Sequence, residues 1–301
     1  LCASVLWFPM DEKENILFLI VDLNPVWLGR LMEMAADSRG LVIGSYTSSI
    51  TAFSKAYSAM SMRNRILAIG VCFRNRLIFH PTKSELQSGN FETDISIISE
   101  RIRNGMIGMI GENRHIAAAN CKSNFSCRTS LSPALAQCIC YLNRQKKSKD
   151  ESKISGRILL VKLSDDTTDE YVNLMNVFFT AQKQNLIIDC ISLGQNLALM
   201  QQACDITGGL YMMVDNIGAL LPHLMVHYLS NADLRNMFQI PKTKVIDYRP
   251  ICSCHHNLVE CAWVCSACLS VFCNFQPICS TCQTVFQIPV LPQVGKRKEN
   301  A

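Results

Sequence analysis

Six continuous apolar runs, separated by stretches of helical period, constrain this chain more than any other feature. They are "NILFLIVD" (15–22), "RILAIGVCF" (65–73), "RLIFH" (76–80), "RILLVKLS" (157–164), "NLIIDCISL" (185–193) and "GLYMMV" (209–214). A strand with one wet face alternates apolar and polar residues, whereas a strand covered on both faces is apolar throughout. Between the runs, Leu174, Val177, Phe178 and Ala181 fall at i, i+3, i+4 and i+7 within 169–182, and Leu135, Ile139 and Leu142 form a similar stripe within 130–143. Thr129 or Ser130 is placed to cap the second helix, with Pro133 in its first turn. A shorter helix over 196–206 is stopped by Gly208-Gly209. Strand and helix in alternation predict an α/β, doubly wound domain over 15–229. Cys72 to Phe79 reads as a hairpin turning at "RNR", which makes one edge strand antiparallel.

The remaining segments carry less structure. Residues 1–14 read as an amino-terminal extension, and the chain begins at Leu1 rather than Met. "LCASVLWFP" lacks a basic n-region and a cleavage site, so it is given no targeting role. No apolar run approaches the roughly 20 residues of a membrane-crossing helix. "NRQKKSKDESK" (143–153) reads as a solvated loop because its charges are of mixed sign. "GMIGMIG" (105–111) lacks the lysine of a phosphate loop and reads as a flexible connection. His223 and His227 sit at i, i+4 without the glutamate of a zinc-protease motif, and read as helix-face residues. Residues 230–250 read as a linker and 289–301 as a basic tail. The net charge of +5 is scattered, so it points to no nucleic-acid stripe.

Of 16 cysteines, eight lie between Cys252 and Cys282. The others sit mostly in apolar stretches, as reduced core residues do, and the compartment is expected to be reducing. Within 251–288, Cys265-x-x-Cys268 and Cys279-x-x-Cys282 are two thiolate knuckles whose sulfurs can converge tetrahedrally on one Zn²⁺. Four protein thiolates leave no open position, so such a site is structural. Cys252, Cys254, His255 and Cys273 are possible further ligands. A second, cross-braced zinc would suggest a RING-like ubiquitin ligase; a single zinc with neighbouring free cysteines is preferred, because Cys252-x-Cys254 is a poorer knuckle.

These features together resemble the subunit-three family of general transcription factor IIH, the smaller of two subunits that join a von Willebrand factor A-like domain to zinc-binding modules. The resemblance is carried by "DLNPVWLG" (22–29), "NVFFTAQKQNLIIDC" (176–190), "QQACDITGGLY" (201–211) and "VCSACLSVFCNFQPICSTC" (264–282), with "CHHNLVE" just before. It implies a nuclear, non-catalytic subunit of the complex that opens promoters for RNA polymerase II and opens damaged DNA in nucleotide excision repair. It implies that the A-like domain binds the larger sister subunit and helps assemble the helicase core. The family's zinc ligands carry over to Cys265, Cys268, Cys279 and Cys282. The sequence assigns no face to DNA, and none to a membrane.

A metal-binding A domain carries D-x-S-x-S at the end of its first strand, with a threonine and an aspartate from two later loops. Here the first loop reads Asp22-Leu23-Asn24-Pro25-Val26, with Thr129 and Asp165 or Asp166 at the later positions. Val26 offers no donor, and Mg²⁺ demands near-octahedral oxygen ligation. Asp22 is therefore expected to bind backbone amides of its loop, with a metal-dependent A-domain binder as the rival reading.

Overall fold

The computed structural model describes residues 14–34, 41–73, 75–88, 92–120, 129–148, 154–165, 170–230, 235, 246, 248–250, 252–255 and 259–286. Most of the amino-terminal extension, the end of the charged link (149–153), Asp166, most of the 230–250 linker and the basic tail lie outside these residues. The chain divides into two compact units, Leu1–Asp247 and Tyr248–Ala301.

The first unit is built on a six-stranded sheet of β1 (Glu14–Asp22), β2 (Asn64–Cys72), β3 (Asn75–His80), β4 (Ile154–Lys162), β5 (Ile187–Leu193) and β6 (Tyr211–Val214). Their order across the sheet is β3-β2-β1-β4-β5-β6. All neighbours run parallel except β2 and β3, which form the expected antiparallel edge. The central strands β1, β2, β4 and β5 are apolar over most of their length because both faces are covered, whereas edge strand β3 is exposed over its first three residues. Leu17, Leu19 and Val21 pack with Tyr46, Ile50, Phe53 and Tyr57 of α2 (Val42–Met60), and with Ile98, Ile102, Met106 and Met109 of α4 (Ile95–Asn120). Phe18, on the opposite face, meets Tyr141 of α5 (Ser132–Ser148) edge to face at 6.0 Å. Helices α1 (Pro25–Met34), α3 (Lys83–Ser88), α6 (Tyr171–Lys183) and α7 (Ala198–Thr207) belong to the same unit, and α7 ends at Gly208 with φ 71°. After β6 the backbone winds through 3-10, α and π turns over 217–228, where the His223 and His227 rings stack at 5.6 Å.

Three expectations are corrected. "GMIGMIG" is not a connection but part of α4. A Cβ on Gly105 would lie 2.3 Å from the Phe79 ring, and one on Gly70 of β2 would lie 2.2 Å from the same ring's far edge. Glycine is used here for close approach of helix to sheet, at a cost in helix propensity of about 1 kcal/mol per residue. The charged segment 143–153 is helical as far as Ser148. Finally, α5 is capped from a distance: the amides of Leu131 and Ser132 donate to Glu170 Oε2 at 3.0 and 3.2 Å. A carboxylate at a helix start meets both the free N–H groups and the positive end of the helix dipole.

A charged cluster lies inside the first unit. Asp189 of β5 is fully buried and accepts from Arg235 Nη1 and Nη2 at 2.6 and 2.5 Å and from the Leu210 amide at 2.9 Å. Arg157 lies 3.6 Å from the same carboxylate and donates to the carbonyls of Ser230 and Tyr228. Arg235, from the stretch read as a linker, thus belongs to the first unit.

Candidate functional site

The sheet order reverses between β1 and β4, and the crevice outside the carboxyl ends of strands at such a point is where open α/β sheets bind ligands. Asp22 ends β1 there and is fully buried. Its Oδ1 accepts from the Asn24 amide and the Thr129 hydroxyl, each at 3.2 Å. Its Oδ2 accepts from the amides of Leu163 and Ser164 at 3.3 and 2.9 Å, and from the Ser164 hydroxyl. Five donors from three chain segments therefore converge on one carboxylate. The backbone carbonyl of Asp22 accepts from the Tyr46 hydroxyl at 2.9 Å. Burial, and then the Asp22 charge, push the Tyr46 phenol well above its usual pKa, so it stays a donor.

The residues around Asp22 are equally engaged. Asn24 Oδ1 accepts from the Val26 amide at 3.1 Å, and its carbonyl accepts from the Leu28 amide at 3.0 Å. Asn24 is thus the amino-terminal cap of α1 (Pro25–Met34), and Pro25 takes the first helical position, which suits its fixed φ and missing N–H. Asn24 Nδ2 donates to Thr129 Oγ1 at 3.0 Å. Asp165 enters through its backbone: Lys162 Nζ, itself buried, donates to the carbonyls of Ser164 and Asp165 at 2.6 Å each. Asp22, Asn24 and Thr129 are thus brought together as the sequence suggested. Ser164 and Lys162 were missed, although a serine just after a strand and a lysine ending an apolar one are visible signals.

Among the described residues the second unit holds two groups of side chains that could hold a metal ion, where the sequence favoured one. In each group all ligand atoms lie within 4.8 Å of one another. The first is Cys265, Cys268, Cys279 and Cys282. Its Sγ–Sγ distances are 3.6 Å for Cys265–Cys282 and for Cys268–Cys279. Tetrahedral ligation at a zinc–sulfur distance of about 2.3 Å places sulfurs about 3.8 Å apart, so the group fits that ion.

The two knuckles are built alike. The Leu269 amide donates to the Cys265 carbonyl at 2.9 Å, and the Gln283 amide donates to that of Cys279 at 2.8 Å. Leu269 and Gln283 both have positive φ, 61° and 62°. One residue on, Ser270 Oγ lies 3.1 Å from Cys268 Sγ, and Thr284 Oγ1 lies 3.1 Å from Cys282 Sγ. These hydroxyls favour thiolate. The Thr284 hydroxyl, followed by its amide, draws the Cys282 thiol down to about 6, and Ser270 lowers that of Cys268. Short strands β7 (Trp263–Val264) and β8 (Val271–Phe272) join the first knuckle, and Phe272 and Phe286 pack against its sulfurs.

The second group is Cys252, Cys254, His255 and Cys273. Cys254 Sγ and His255 Nδ1 each lie 3.2 Å from Cys273 Sγ. No group of three or more histidine, cysteine or carboxylate ligands forms at the sheet end among the described residues.

A doubly wound A-type domain followed by a module of paired C-x-x-C turns defines a class of α/β scaffold with a cysteine-rich tail whose side chains could hold a metal ion. The family model for transcription factor Tfb4 matches residues 14–283 and so spans both units, and the chain belongs to that family. It is 26% identical over 282 residues to the Schizosaccharomyces pombe protein named general transcription and DNA repair factor IIH subunit tfb4, covering 94% of this chain and 85% of that one. It is 26% identical over 280 residues to the Arabidopsis thaliana subunit TFB4, covering 92% and 90%. The fold matches the crystal structure of the TFIIH p34 N-terminal domain, with a TM-score of 0.53 at 19% identity over 72% of this chain and 99% of that one.

Proposed function

We propose that this chain is a nuclear, non-catalytic assembly subunit of the general transcription and DNA repair factor IIH. It serves RNA polymerase II initiation and nucleotide excision repair through contacts with the larger A-like and zinc-bearing subunit, and through it with the helicases. The observation that carries the reading is the family match, which extends without a break from the first strand to the second knuckle. The site chemistry supports it. At the sheet end, where an A domain would hold a divalent cation, both oxygens of Asp22 are engaged by donors of the chain itself, and Asn24 is engaged as a helix cap. Asp22 then acts as a clamp joining the loops after β1 and β4 with Thr129.

The Cys265, Cys268, Cys279 and Cys282 group takes one Zn²⁺, which supplies folding free energy that its few buried apolar side chains cannot. Four thiolates close the coordination sphere, so the ion has no position for a substrate.

Affinity purification of the tagged chain from nuclear extract, with mass spectrometry of what co-elutes, tests the proposal. The larger A-domain subunit and the helicases should be recovered in amounts comparable to the bait. Recovery of the bait without them overturns it.

A further inference from the structure

We propose that the outer edge of β3 is a docking site for an extended acidic peptide, which adds to the sheet as a further strand and seats an apolar side chain between β3 and α5. The edge has this capacity whatever assembly the chain joins.

β3 closes one side of the sheet and pairs only with β2. Its first residue, Asn75, pairs with Cys72 across a tight turn in which Phe73 has φ 49°. The pair that closes so short a turn exchanges both backbone hydrogen bonds, and along an antiparallel ladder such pairs alternate with pairs that bond outward. Arg76, opposite Val71, and Ile78, opposite Ile69, fall at the outward positions. Their N–H and C=O groups therefore point away from β2, and they meet no hydrogen-bond partner among the described residues. The strand is exposed over Asn75, Arg76 and Leu77, with 48% of Leu77 open to solvent. Natural edges are blunted by proline, inward-pointing charge or a bulge. The stretch Asn75–Ile78 has no proline and no acid, and the bulge of this pair lies beyond it at Ala68/Ile69.

A cavity of about 300 Å³ opens beside this edge, walled by Leu67 of β2, Ile78 of β3, Leu86 of α3, and Cys140, Tyr141 and Arg144 of α5. Gln137 of α5 joins its lining and holds Arg76, whose Nε donates to Gln137 Oε1 at 3.0 Å. Arg144 donates to the Leu86 carbonyl at 3.2 Å and lies over the Tyr141 ring at 5.3 Å. The volume is at the low end for small-molecule pockets and suits a side chain from a strand laid along β3. Among the described residues no carboxylate lines the cavity, and Glu85 of α3 is committed to Arg101 at 2.8 Å. The rim is therefore positive and the walls apolar. An added strand turns every second residue to this side. An acid two positions from a bulky apolar residue then matches Arg76 beside Ile78. Strand addition draws affinity from main-chain hydrogen bonds and specificity from pockets for alternate side chains. A second copy of this chain would bring the arginines of both chains onto one face, which disfavours it as the occupant.

The test selects random dodecapeptides displayed on phage against the immobilised full-length chain, with Arg76→Pro as the counter-selection target. Proline at 76 deletes an outward N–H and no bond to β2, so the fold should hold. Enriched peptides should carry Asp or Glu two positions from Leu, Ile, Val or Phe. In fluorescence anisotropy of the synthetic peptides, Arg76→Pro should weaken binding about tenfold, the worth of one hydrogen bond. Arg144→Ala should weaken it about two- to fivefold, and less at high salt. Hydrogen–deuterium exchange of the wild type should slow over 75–80 when peptide is bound, a readout that needs no variant. Peptides that bind Arg76→Pro equally well, or that protect a different segment, overturn the proposal, as does a selection without enrichment. A wild-type dimer in light scattering that Arg76→Pro converts to monomer also overturns it, because the edge then serves a second copy.

Discussion

Arg235 grips Asp189 with both guanidinium nitrogens, at 2.6 and 2.5 Å, across 46 positions of sequence and beneath a surface that leaves the carboxylate with no solvent contact. A buried ion pair adds little over a well-packed apolar pair, but half of one is costly. Asp189→Ala leaves Arg235 and Arg157 facing each other without a counter-charge, and burial already lowers the Arg157 pKa. The expected loss is about 3–5 kcal/mol in urea denaturation. Arg235→Met should cost a similar amount, and the double variant Asp189→Leu/Arg235→Met much less than the sum. Additive losses would show that the pair is not coupled.

Gly105 and Gly108 lie one turn apart on α4 and should respond in opposite directions. A Cβ at 105 meets the Phe79 ring, whose far edge is held by Gly70, so Gly105→Ala should cost about 1–3 kcal/mol despite the better helix propensity. Gly108 has nothing within 4 Å of the new Cβ, and Gly108→Ala should stabilise by about 0.5–1 kcal/mol. Thermal melts of both variants check this; equal effects would place 105–108 outside the packed helix.

At the sheet end, Asp22→Asn replaces an acceptor with a donor facing donors. The variant should lose about 1–3 kcal/mol. Millimolar Mg²⁺ should leave the melting temperature of the wild type unchanged. A rise with Mg²⁺ that disappears in Asp22→Asn would establish a divalent-cation site.

His80 supplies a pH dependence. Burial, outweighing the attraction of Glu85 and aided by Arg101, pushes its imidazole down to about 4 from 6.5. The native state therefore holds His80 neutral while the unfolded chain protonates it as pH falls below about 6.5. Stability is complete above that pH, falls between about 6.5 and 4, and levels off below, for a total of about 3 kcal/mol from this group. Its Nδ1 has no hydrogen-bond partner among the described residues. His80→Gln should flatten this interval relative to the wild type in urea titrations at pH 7, 6 and 5.

The central strands of the first unit were legible because they are covered twice, which erases polar alternation and leaves continuous apolar runs. Helices α2 and α4 were among the elements that were not. In α2, a Ser/Thr-rich segment with no clear apolar stripe in its sequence, the hydroxyls of Thr47, Ser49 and Thr51 bond to carbonyls four residues back and so fit within the helix. In α4 the glycines hide a helix whose reason for glycine is the ring of a residue on another strand. The paired C-x-x-C knuckles were readable from local spacing. Cys252, Cys254, His255 and Cys273 were named only as possible further ligands, because Cys252-x-Cys254 is a poor knuckle and the Ser253–Val271 hydrogen bond that lays their turn against β8 follows no local pattern. Asp22 was conspicuous as an acid ending an apolar run. The donors that satisfy it come from positions up to 142 residues away.

The convergence of donors on Asp22 bears on whether this domain can act conditionally. A ligand moves a protein between states only by binding one of them better than the other. At the end of this sheet the chain itself supplies what a ligand would have supplied, through groups that are covalently always present. The loops after β1 and β4 and the segment at Thr129 are thereby tied together by the chain's own groups, without waiting for an ion to arrive.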